Sequence, residues 1–590
     1  MISDAGRRPE SVGEGPAAGS EIPRVDFANL FDEDALGQEL FAWWAGPAWP
    51  DVRPHFAALG ESGALATPLS ARADREGPTL QTHDARRERV SRVIHHPDYR
   101  RLEELSYGRG IVAIKYEEDF LSEHRARRHL VGFGAAYYFA QTEMGLFCPI
   151  CMTDGVARVL EKHGSGRIAA ETIERLTTRD VSKLWQGAMF LTEKQGGSDV
   201  GSNCAAARLE NGRWLLRGDK WFCSNAGAEA ILTLARMPGG PPGTRGLGLF
   251  LVLRDRPEGN GRTIVIHRLK EKLGVRSMAT GEITFEDTEG FLVGGAGEGF
   301  RQMAEMLNLS RLYNAVASVA AMRRAALEAL AYGARREAFG RTLCELPLWR
   351  STMADVIAET LGAFLLTFEA VRSLDGADGG DEDAPRLTRV LIPMAKILSG
   401  KLSVQVVSDA MEAIGGNAYV EESILPRLLR DCQVLPIWEG TSNILSLDVM
   451  RANRRDRAYE PFFARVGQAL EAAAPSTDLA PLADRVRERI AADARSLETI
   501  AGRSLEDQQR GAREWVENAG RTMTLALLLE AAGQPPLRAA AAAAARRLLA
   551  RPYAAMAAMS LDAAALADTE EDLLRAGYRG ATDVQTPSIF

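Results

Sequence analysis

Residues 187–202 read GAMFLTEKQGGSDVGS and mark the point where the hydrophobic period of the chain changes. Upstream, from Val25 to about Arg179, apolar residues recur at three- and four-residue spacings, as in RARRHLVGFGAAYYFAQTEM over 125–144, which predicts helices. Downstream come short runs rich in β-branched and aromatic residues: RWLLR at 213–217, KWF at 220–222, AILTL at 230–234, LFLVL at 249–253, TIVI at 263–266 and GEITF at 281–285. Gly, Asn, Pro and Asp punctuate them. Such closely spaced runs predict an antiparallel sandwich or barrel, not a βαβ sheet. Helical periodicity returns at Gly299 and dominates to about Val449. It is interrupted by DGADGGDED at 375–383, which reads as a solvated loop between two long helices. The expected fold class is α+β, mainly α. It comprises a flexible arm (1–24), an N-terminal helical domain (25–186), a β-sandwich or barrel domain (187–295), a helical bundle (296–450) and a C-terminal helical appendix (451–590).

At 590 residues the chain is long enough for several domain-sized units, and 46% hydrophobic with 25% charged residues is ordinary for a globular protein. A net charge of −8 argues against a uniformly basic surface for nucleic acid or acidic membranes. Six cysteines are too few for a secreted disulfide framework and fit a reducing compartment. The opening MISDAGRR lacks an apolar signal core, so a cytoplasmic location is expected. The alanine-rich stretch 539–567 is broken by Arg546, Arg547, Arg551, Pro552 and Asp562, so no membrane span is expected there. Lys401 is the last lysine, and residues 451–590 balance 19 Arg against 19 Asp and Glu.

Three segments carry chemistry. In TEKQGGSDV (192–200), the hydroxyls of Thr192 and Ser198 flank Gly196 and Gly197, which let the backbone approach a flat or anionic ligand. Alone, such a tetrad is more often a polar turn. In GDKWFCSNAG (218–227), Phe222 and Ser224 stand two apart, on one face of a strand, where a ring can be stacked and a heteroatom bonded. A core aromatic is the plainer alternative. In IWEGTSNI (437–444), Glu439 lies between Trp438 and Gly440 in a break between helices. A carboxylate there becomes a stronger base when water leaves, although a capping turn would use the same residues. CPIC at 148–151 has half-zinc spacing without a second pair, so packing at a helix end is expected and no metal.

Together and in this order, these segments resemble the acyl-CoA dehydrogenase family from about Leu146 to Arg451. CPI (148–150), KLGVR (272–276), GEGF (297–300), REAFG (336–340), GGNAY (415–419) and Arg430-Asp431 fall in line with them. The wording TEKQGGSDV, Glu412, IWEG and the helical appendix resemble the AidB-like branch. The resemblance implies a non-covalent FAD between the β domain and the bundle. Phe190, Thr192, Gly197 and Ser198 would lie along the isoalloxazine and pyrophosphate, with Phe222 beside the ring and Ser224 near N5. Trp438, Gly440, Thr441 and Asn443 would line the same pocket. Gly415 and Gly416 are also implied at the cofactor, and Arg336 and Phe339 would reach the FAD of a neighbouring subunit, which requires a homodimer or homotetramer.

The resemblance also implies a reaction. Glu439 aligns with the catalytic base; Ser310 occupies the family's alternative base position and cannot serve. Ser198 and Arg311 would face the ligand. Glu439 would take the α-proton of an acyl-CoA thioester while hydride leaves to flavin N5, and electrons would pass to an electron-transferring flavoprotein. The AidB-like alternative is a flavoprotein that binds nucleic acid or protects it from alkylation, with little dehydrogenase activity. The preserved Glu439 and the net-zero appendix favour the first, because strong DNA binding needs many phosphate contacts. Thr-Glu-Lys in place of the commoner Thr-Glu-Pro, Glu412 in place of Gln, and Pro347 in place of Gln depart from the family near cofactor-contact positions.

Overall fold

A computed structural model describes residues 22–23, 25–254, 263–473 and 478–550. The arm expected at 1–24 falls almost wholly outside these residues, as do residues 551–590 of the appendix. The N-terminal unit is built from Ala35–Ala45, Trp49–Arg75, Pro97–Ser106, Arg128–Ala140, Phe147–His163 and Gly166–Leu176. Every residue of Arg128–Ala140 is buried, as its all-round apolar sequence requires.

The N-terminal unit is not purely helical. Strands Thr79–His83 and Arg89–Ile94 pair as an antiparallel hairpin. Its turn is organised by Asp84, whose carboxylate accepts from Arg86 N (2.8 Å) and Glu88 N (2.9 Å). The arginines around it mask an alternating strand pattern. The hairpin lies on the β domain, where Ser91 Oγ accepts from Ile266 N at 3.2 Å and Arg89 pairs with Glu286 at 2.8 Å.

The acidic stretch 375–383 also departs from expectation. Asp375 and Asp378 belong to the helix Pro347–Asp378. The Asp375 carboxylate accepts from His129 N (2.7 Å) and Leu130 N (2.8 Å), closing the N-terminus of the buried helix. Asp378 takes both Arg158 nitrogens at 2.7 and 2.9 Å. Two acids that look like loop solvation are therefore partners for groups on another domain.

The central sheet has seven strands: Gly187–Phe190, Ala206–Glu210, Arg213–Ser224, Ala230–Arg236, Leu247–Leu253, Ile264–Leu269 and Thr280–Val293. Most ladders are antiparallel, but Gly187–Phe190 runs parallel to Ala230–Arg236, and Ala206 pairs in parallel with Arg236. The sheet is mixed because the first strand enters from the helical domain and its neighbour arrives only after the chain has crossed over. Its apolar side holds Ala188, Phe190, Ile231, Phe250, Val252, Ile283 and Phe285.

The bundle packs Gly299–Gly333, Pro347–Asp378, Ala384–Ile414 and Ser442–Asp456 together. Ala384–Ile414 is long and apolar enough to cross a membrane by length and composition, but most of its apolar stretch is buried inside the protein. The appendix adds Tyr459–Ala473, Ala480–Ala501, Leu505–Ala532 and Arg538–Ala550. Arg465 joins Glu369 of the bundle (2.6 Å) to Glu530 (2.7 Å), and Arg547 reaches Asp355 at 2.6 Å. Ala541, Ala542, Ala544 and Ala545 are buried, so the polyalanine run lets its helix lie close against Pro347–Asp378.

One seam fixes the β domain on the bundle. Asp431, in helix Leu425–Cys432, accepts from Val275 N at 2.5 Å and holds Val275 at φ +48°. Next to it, a Cβ on Gly274 would stand 2.5 Å from the backbone of Arg430, so only glycine fits. Burial pushes Asp431 up to about 7. Between the ordinary carboxylate range and pH 7 the folded chain holds a proton there that the unfolded chain releases, so stability is lost as pH rises through 7. Asp431→Asn keeps an acceptor for Val275 N–H without a charge. Its melting temperature relative to wild type should therefore be higher at pH 8 than at pH 5; an equal offset at both would contradict this.

Candidate active site

Glu439 and Gly440 form a tight turn between Leu425–Cys432 and Ser442–Asp456, with φ of +59° and +100°. A left-handed conformation costs a non-glycine residue about 1–3 kcal/mol and persists only where surroundings enforce it. Two cations enforce it here. Arg311 Nε donates to the Glu439 carbonyl at 3.3 Å, and Lys396 Nζ donates to the Gly440 carbonyl at 2.6 Å. Arg311 is fixed in turn by Asp448 (2.9 Å) and Asn308 (3.2 Å), and Lys396 is 1% exposed. The guanidinium of Arg311, expected to face the ligand, is engaged by Asp448, Asn308 and the Glu439 carbonyl.

The Glu439 carboxylate lies beside the Ser310 hydroxyl and within reach of the charges of Arg311 and Lys396. Its Oε2 is buried and has no hydrogen-bond partner among the described residues. Burial raises its pKa, opposed by the Ser310 hydroxyl and the charges of Arg311 and Lys396. The same burial pushes Lys396 down to about 7, opposed by Glu439. The site therefore holds a desolvated carboxylate with positive charge nearby, an environment that suits a general base.

The walls come from three elements. Cys148 and Cys151 stand at the start of helix Phe147–His163, and both are close enough to feel the Glu439 charge. Cys148 lies beside the Ser224 hydroxyl and Cys151 beside that of Ser310. Burial pushes the Cys148 thiol up to about 12, so it is an inert packing group at a helix end. Ser224 thereby joins the β-domain edge to the wall carrying Glu439. Phe222, on the same strand face, is 58% exposed with Lys270 Nζ 4.6 Å from its ring centre.

The Thr192 loop is bound to that strand by Trp221 N donating to the Thr192 carbonyl at 2.9 Å. Glu193 anchors the loop. Its buried carboxylate pairs with Lys220 at 2.8 Å and accepts from Cys204 N (2.7 Å) and Ala205 N (3.1 Å). A Cβ on Gly197 would come within 2.5 Å of the Thr192 hydroxyl, so glycine leaves that hydroxyl free space. Ser198 is exposed. The Phe190 ring is sealed in the sheet core near Phe285, which leaves only its main chain for a ligand.

The remaining candidates divide between two ends of the bundle. Trp438 Nε1, beside Glu439, is buried and has no partner among the described residues, and Thr441 and Asn443 are exposed at the start of the next helix. Arg336, Phe339, Gly415 and Gly416 are not at this end. From Ser310 the helix Gly299–Gly333 runs about 35 Å before it reaches them. There the hairpin Glu337–Ala338 with Arg341–Thr342 turns through Phe339 and Gly340 at φ +54° and +73°, leaving the Phe339 ring 95% exposed. Asn417 Nδ2 donates to Tyr332 OH at 2.8 Å and ties the Gly415–Gly416 cap to the same end.

Sequence reasoning missed Lys396 and the proximity of the cysteines to Glu439. Lys396 had a signal: a single cation on the apolar side of IPMAKILSG needs a buried partner.

Residues 21–182 match the adaptive response protein AidB N-terminal domain, 188–288 the acyl-CoA dehydrogenase middle domain, and 297–453 the acyl-CoA dehydrogenase C-terminal domain. Acyl-CoA dehydrogenase family member 11 of Caenorhabditis elegans is 37% identical over 415 residues, 68% of this chain and 67% of the relative. AidB of Escherichia coli (strain K12) is 36% identical over 415 residues, 68% of this chain and 74% of the relative. The crystal structure of Caenorhabditis elegans ACDH-11 in complex with C11-CoA superposes with a TM-score of 0.86 at 30% identity, covering 92% of this chain and 94% of that one. The chain belongs to the acyl-CoA dehydrogenase family and carries the AidB-type N-terminal domain.

Proposed function

We propose that the protein is an FAD-dependent acyl-CoA dehydrogenase that desaturates an acyl-CoA thioester between its α and β carbons, with Glu439 as the base. The observation that carries this reading is the buried Glu439 carboxylate, whose unpartnered Oε2 shares a wall with Ser224 of the β-domain edge. The worm relative solved with C11-CoA supports an acyl thioester as the ligand class.

The residues present fit a flavin. An exposed aromatic at Phe222, a hydroxyl on the same strand face at Ser224 and a glycine-opened loop at Thr192 suit a flat ring with polar edges. Thr192, Ser198, Phe222 and Ser224 would hold it, with Trp438, Gly440, Thr441 and Asn443 alongside. FAD, when bound, supplies a two-electron acceptor for the β-hydride.

The chain's own part is proton removal. Arg311 and Lys396 hold the turn by its carbonyls, so the Glu439 side chain is oriented before substrate arrives. Ser310 and the two cations keep the carboxylate ionised against desolvation, while burial keeps it basic. A bound acyl chain would exclude more water and strengthen both effects.

The far end of the bundle supports a homodimer. Phe339, Leu348 and Tyr419 expose 95%, 81% and 82% of their surfaces there. A second copy contributing Arg336, Phe339, Gly415 and Gly416 would complete the flavin site of the first. An electron-transferring flavoprotein is the proposed electron acceptor.

Glu439→Gln should retain FAD and fold but lower the rate of flavin bleaching by acyl-CoA under anaerobic conditions by about 10²–10⁴-fold or more. In wild type that rate should rise with pH through a value above the ordinary carboxylate range, because burial raises the base. Bleaching by the variant at the wild-type rate would place the base elsewhere. Phe339→Asp should shift the sedimenting species towards monomer and release FAD together; a monomer retaining its full flavin would refute the shared site.

A further inference from the structure

Lys115, Lys220 and Lys270 each meet a carboxylate where they enter the fold: Asp154, Glu193 at 2.8 Å and Glu282 at 2.7 Å. The half-buried Lys272 does not. Among the described residues no carboxylate lies within ion-pairing distance of it, and its Nζ donates instead to the Met278 carbonyl at 2.6 Å and the Thr280 hydroxyl at 3.1 Å. Its third N–H has only the Met278 sulfur, a weak acceptor 4.0 Å away.

Strand register places this ammonium at the flavin side of the sheet. Thr280 is the cross-strand partner of Ser224, and residues directly opposed project from one face with their Cβ atoms about 4.5–5.5 Å apart. The alternating neighbours Cys223 and Ile283 turn to the opposite, apolar face. On the Ser224 face Lys270 binds Glu282 and stands 4.6 Å from the centre of the Phe222 ring. Segment 270–272 therefore runs along the face that carries Phe222 and Ser224, with the Lys272 ammonium roughly 6–9 Å from the Ser224 side chain. Asn225 N donates to the same Met278 sulfur at 3.4 Å, which ties Lys272 to the residue after Ser224 as well. Cys148 lies beside the Ser224 hydroxyl and within reach of the charges of Glu439 and Lys272.

The acids whose charge reaches Lys272 are engaged elsewhere. Asp74, on Trp49–Arg75, accepts from Arg276 N at 3.0 Å and pairs with Arg430 at 3.5 Å; Asp431, on Leu425–Cys432, accepts from Val275 N at 2.5 Å. Burial pulls Lys272 down to about 8, opposed by Cys148, Asp431 and Asp74.

We propose that Lys272 compensates the negative charge that the flavin gains on reduction. In the reaction proposed above, Glu439 takes the α-proton and becomes neutral, while the hydride brings two electrons and one proton to the flavin, which changes from neutral to anionic. A cation on the Ser224 face with no counter-ion in contact favours that anion through space. At about 8–10 Å and an effective dielectric constant of about 20, the attraction amounts to about tenfold in an equilibrium constant. Lys272 is in this sense a positioning residue for charge, not a catalytic one. The inference rests on the FAD reading of the site, and its test needs no acyl-CoA.

The FAD-loaded protein is equilibrated anaerobically with a reference dye of known potential, and the ratio of reduced to oxidised flavin is read at pH 7. Lys272→Met should lower that ratio about tenfold against wild type at equal potential, and Lys272→Arg, which keeps the charge, should restore most of it. Sulfite, whose addition to the flavin also leaves a negative charge on the ring, should bind Lys272→Met more weakly by a similar factor. A role confined to bracing Met278 and Thr280 would move the melting temperature and leave both readouts in place. If Lys272→Met does not fold, wild type carries the test: proton uptake on reduction should rise from about pH 7 to about pH 8.5, because the anion holds a proton on Lys272 that the oxidised protein releases. An unchanged ratio in Lys272→Met, a ratio that Lys272→Arg lowers equally, or a flat wild-type proton uptake overturns the charge role while FAD stays bound. A chain that binds no FAD overturns the flavin reading and this inference with it.

Discussion

Two cations, the buried Lys396 and the half-buried Arg311, hold successive carbonyls of a turn that an L-residue adopts only under constraint, and the candidate site depends on that grip. Lys396 and Arg311 come from different helices, so the Glu439–Gly440 turn keeps its shape only while those helices keep their register. That register is set by the packing of the bundle, braced outside by Arg465 and Arg547 of the appendix. The same cations do electrostatic work. Their charges offset the desolvation of Glu439, while its Oε2 has no hydrogen-bond partner among the described residues. A direct salt bridge to the carboxylate would have lowered its basicity; contact through the carbonyls orients it at less expense to basicity.

The change of hydrophobic period at Gly187 made the three-part architecture legible, because strand and helix periods differ over any ten residues. What stayed hidden was pairing direction. Nothing in GAMF distinguishes a parallel from an antiparallel partner, and its partner, Ala230–Arg236, lies forty residues later in the chain. The hairpin Thr79–His83 with Arg89–Ile94 was masked by arginines that serve as interdomain partners rather than as solvated helix charge. The stretch 375–383 was misleading for the opposite reason. Acids beside glycines suggest solvent, yet Asp375 and Asp378 meet backbone N–H groups and Arg158 that only the tertiary fold brings to them.

The candidate site was legible where chemistry is written in rare residue types. Glu439 between Trp438 and Gly440, and Ser224 two residues after Phe222, are brought together near Cys148. It was not legible where function is carried by position. Lys396 looks like an ordinary member of a long helix; its importance appears only when helical phase turns it towards the Glu439–Gly440 turn. Phe190 illustrates the converse, a residue next to the motif whose side chain belongs to the core. The separation of Arg336, Phe339, Gly415 and Gly416 from the other candidates by the length of a helix likewise follows from architecture alone.

A desolvated Glu439 whose charge is balanced through Lys396 has a spectroscopic signature. Isotope-edited infrared difference spectra of wild type against Glu439→Gln, titrated from about pH 4 to 9, isolate the Glu439 carboxyl band. That band should titrate above the ordinary carboxylate range, and shift further upward in Lys396→Met, where one compensating cation is gone. A band that titrates in the ordinary range, or one that Lys396→Met leaves unmoved, would contradict it.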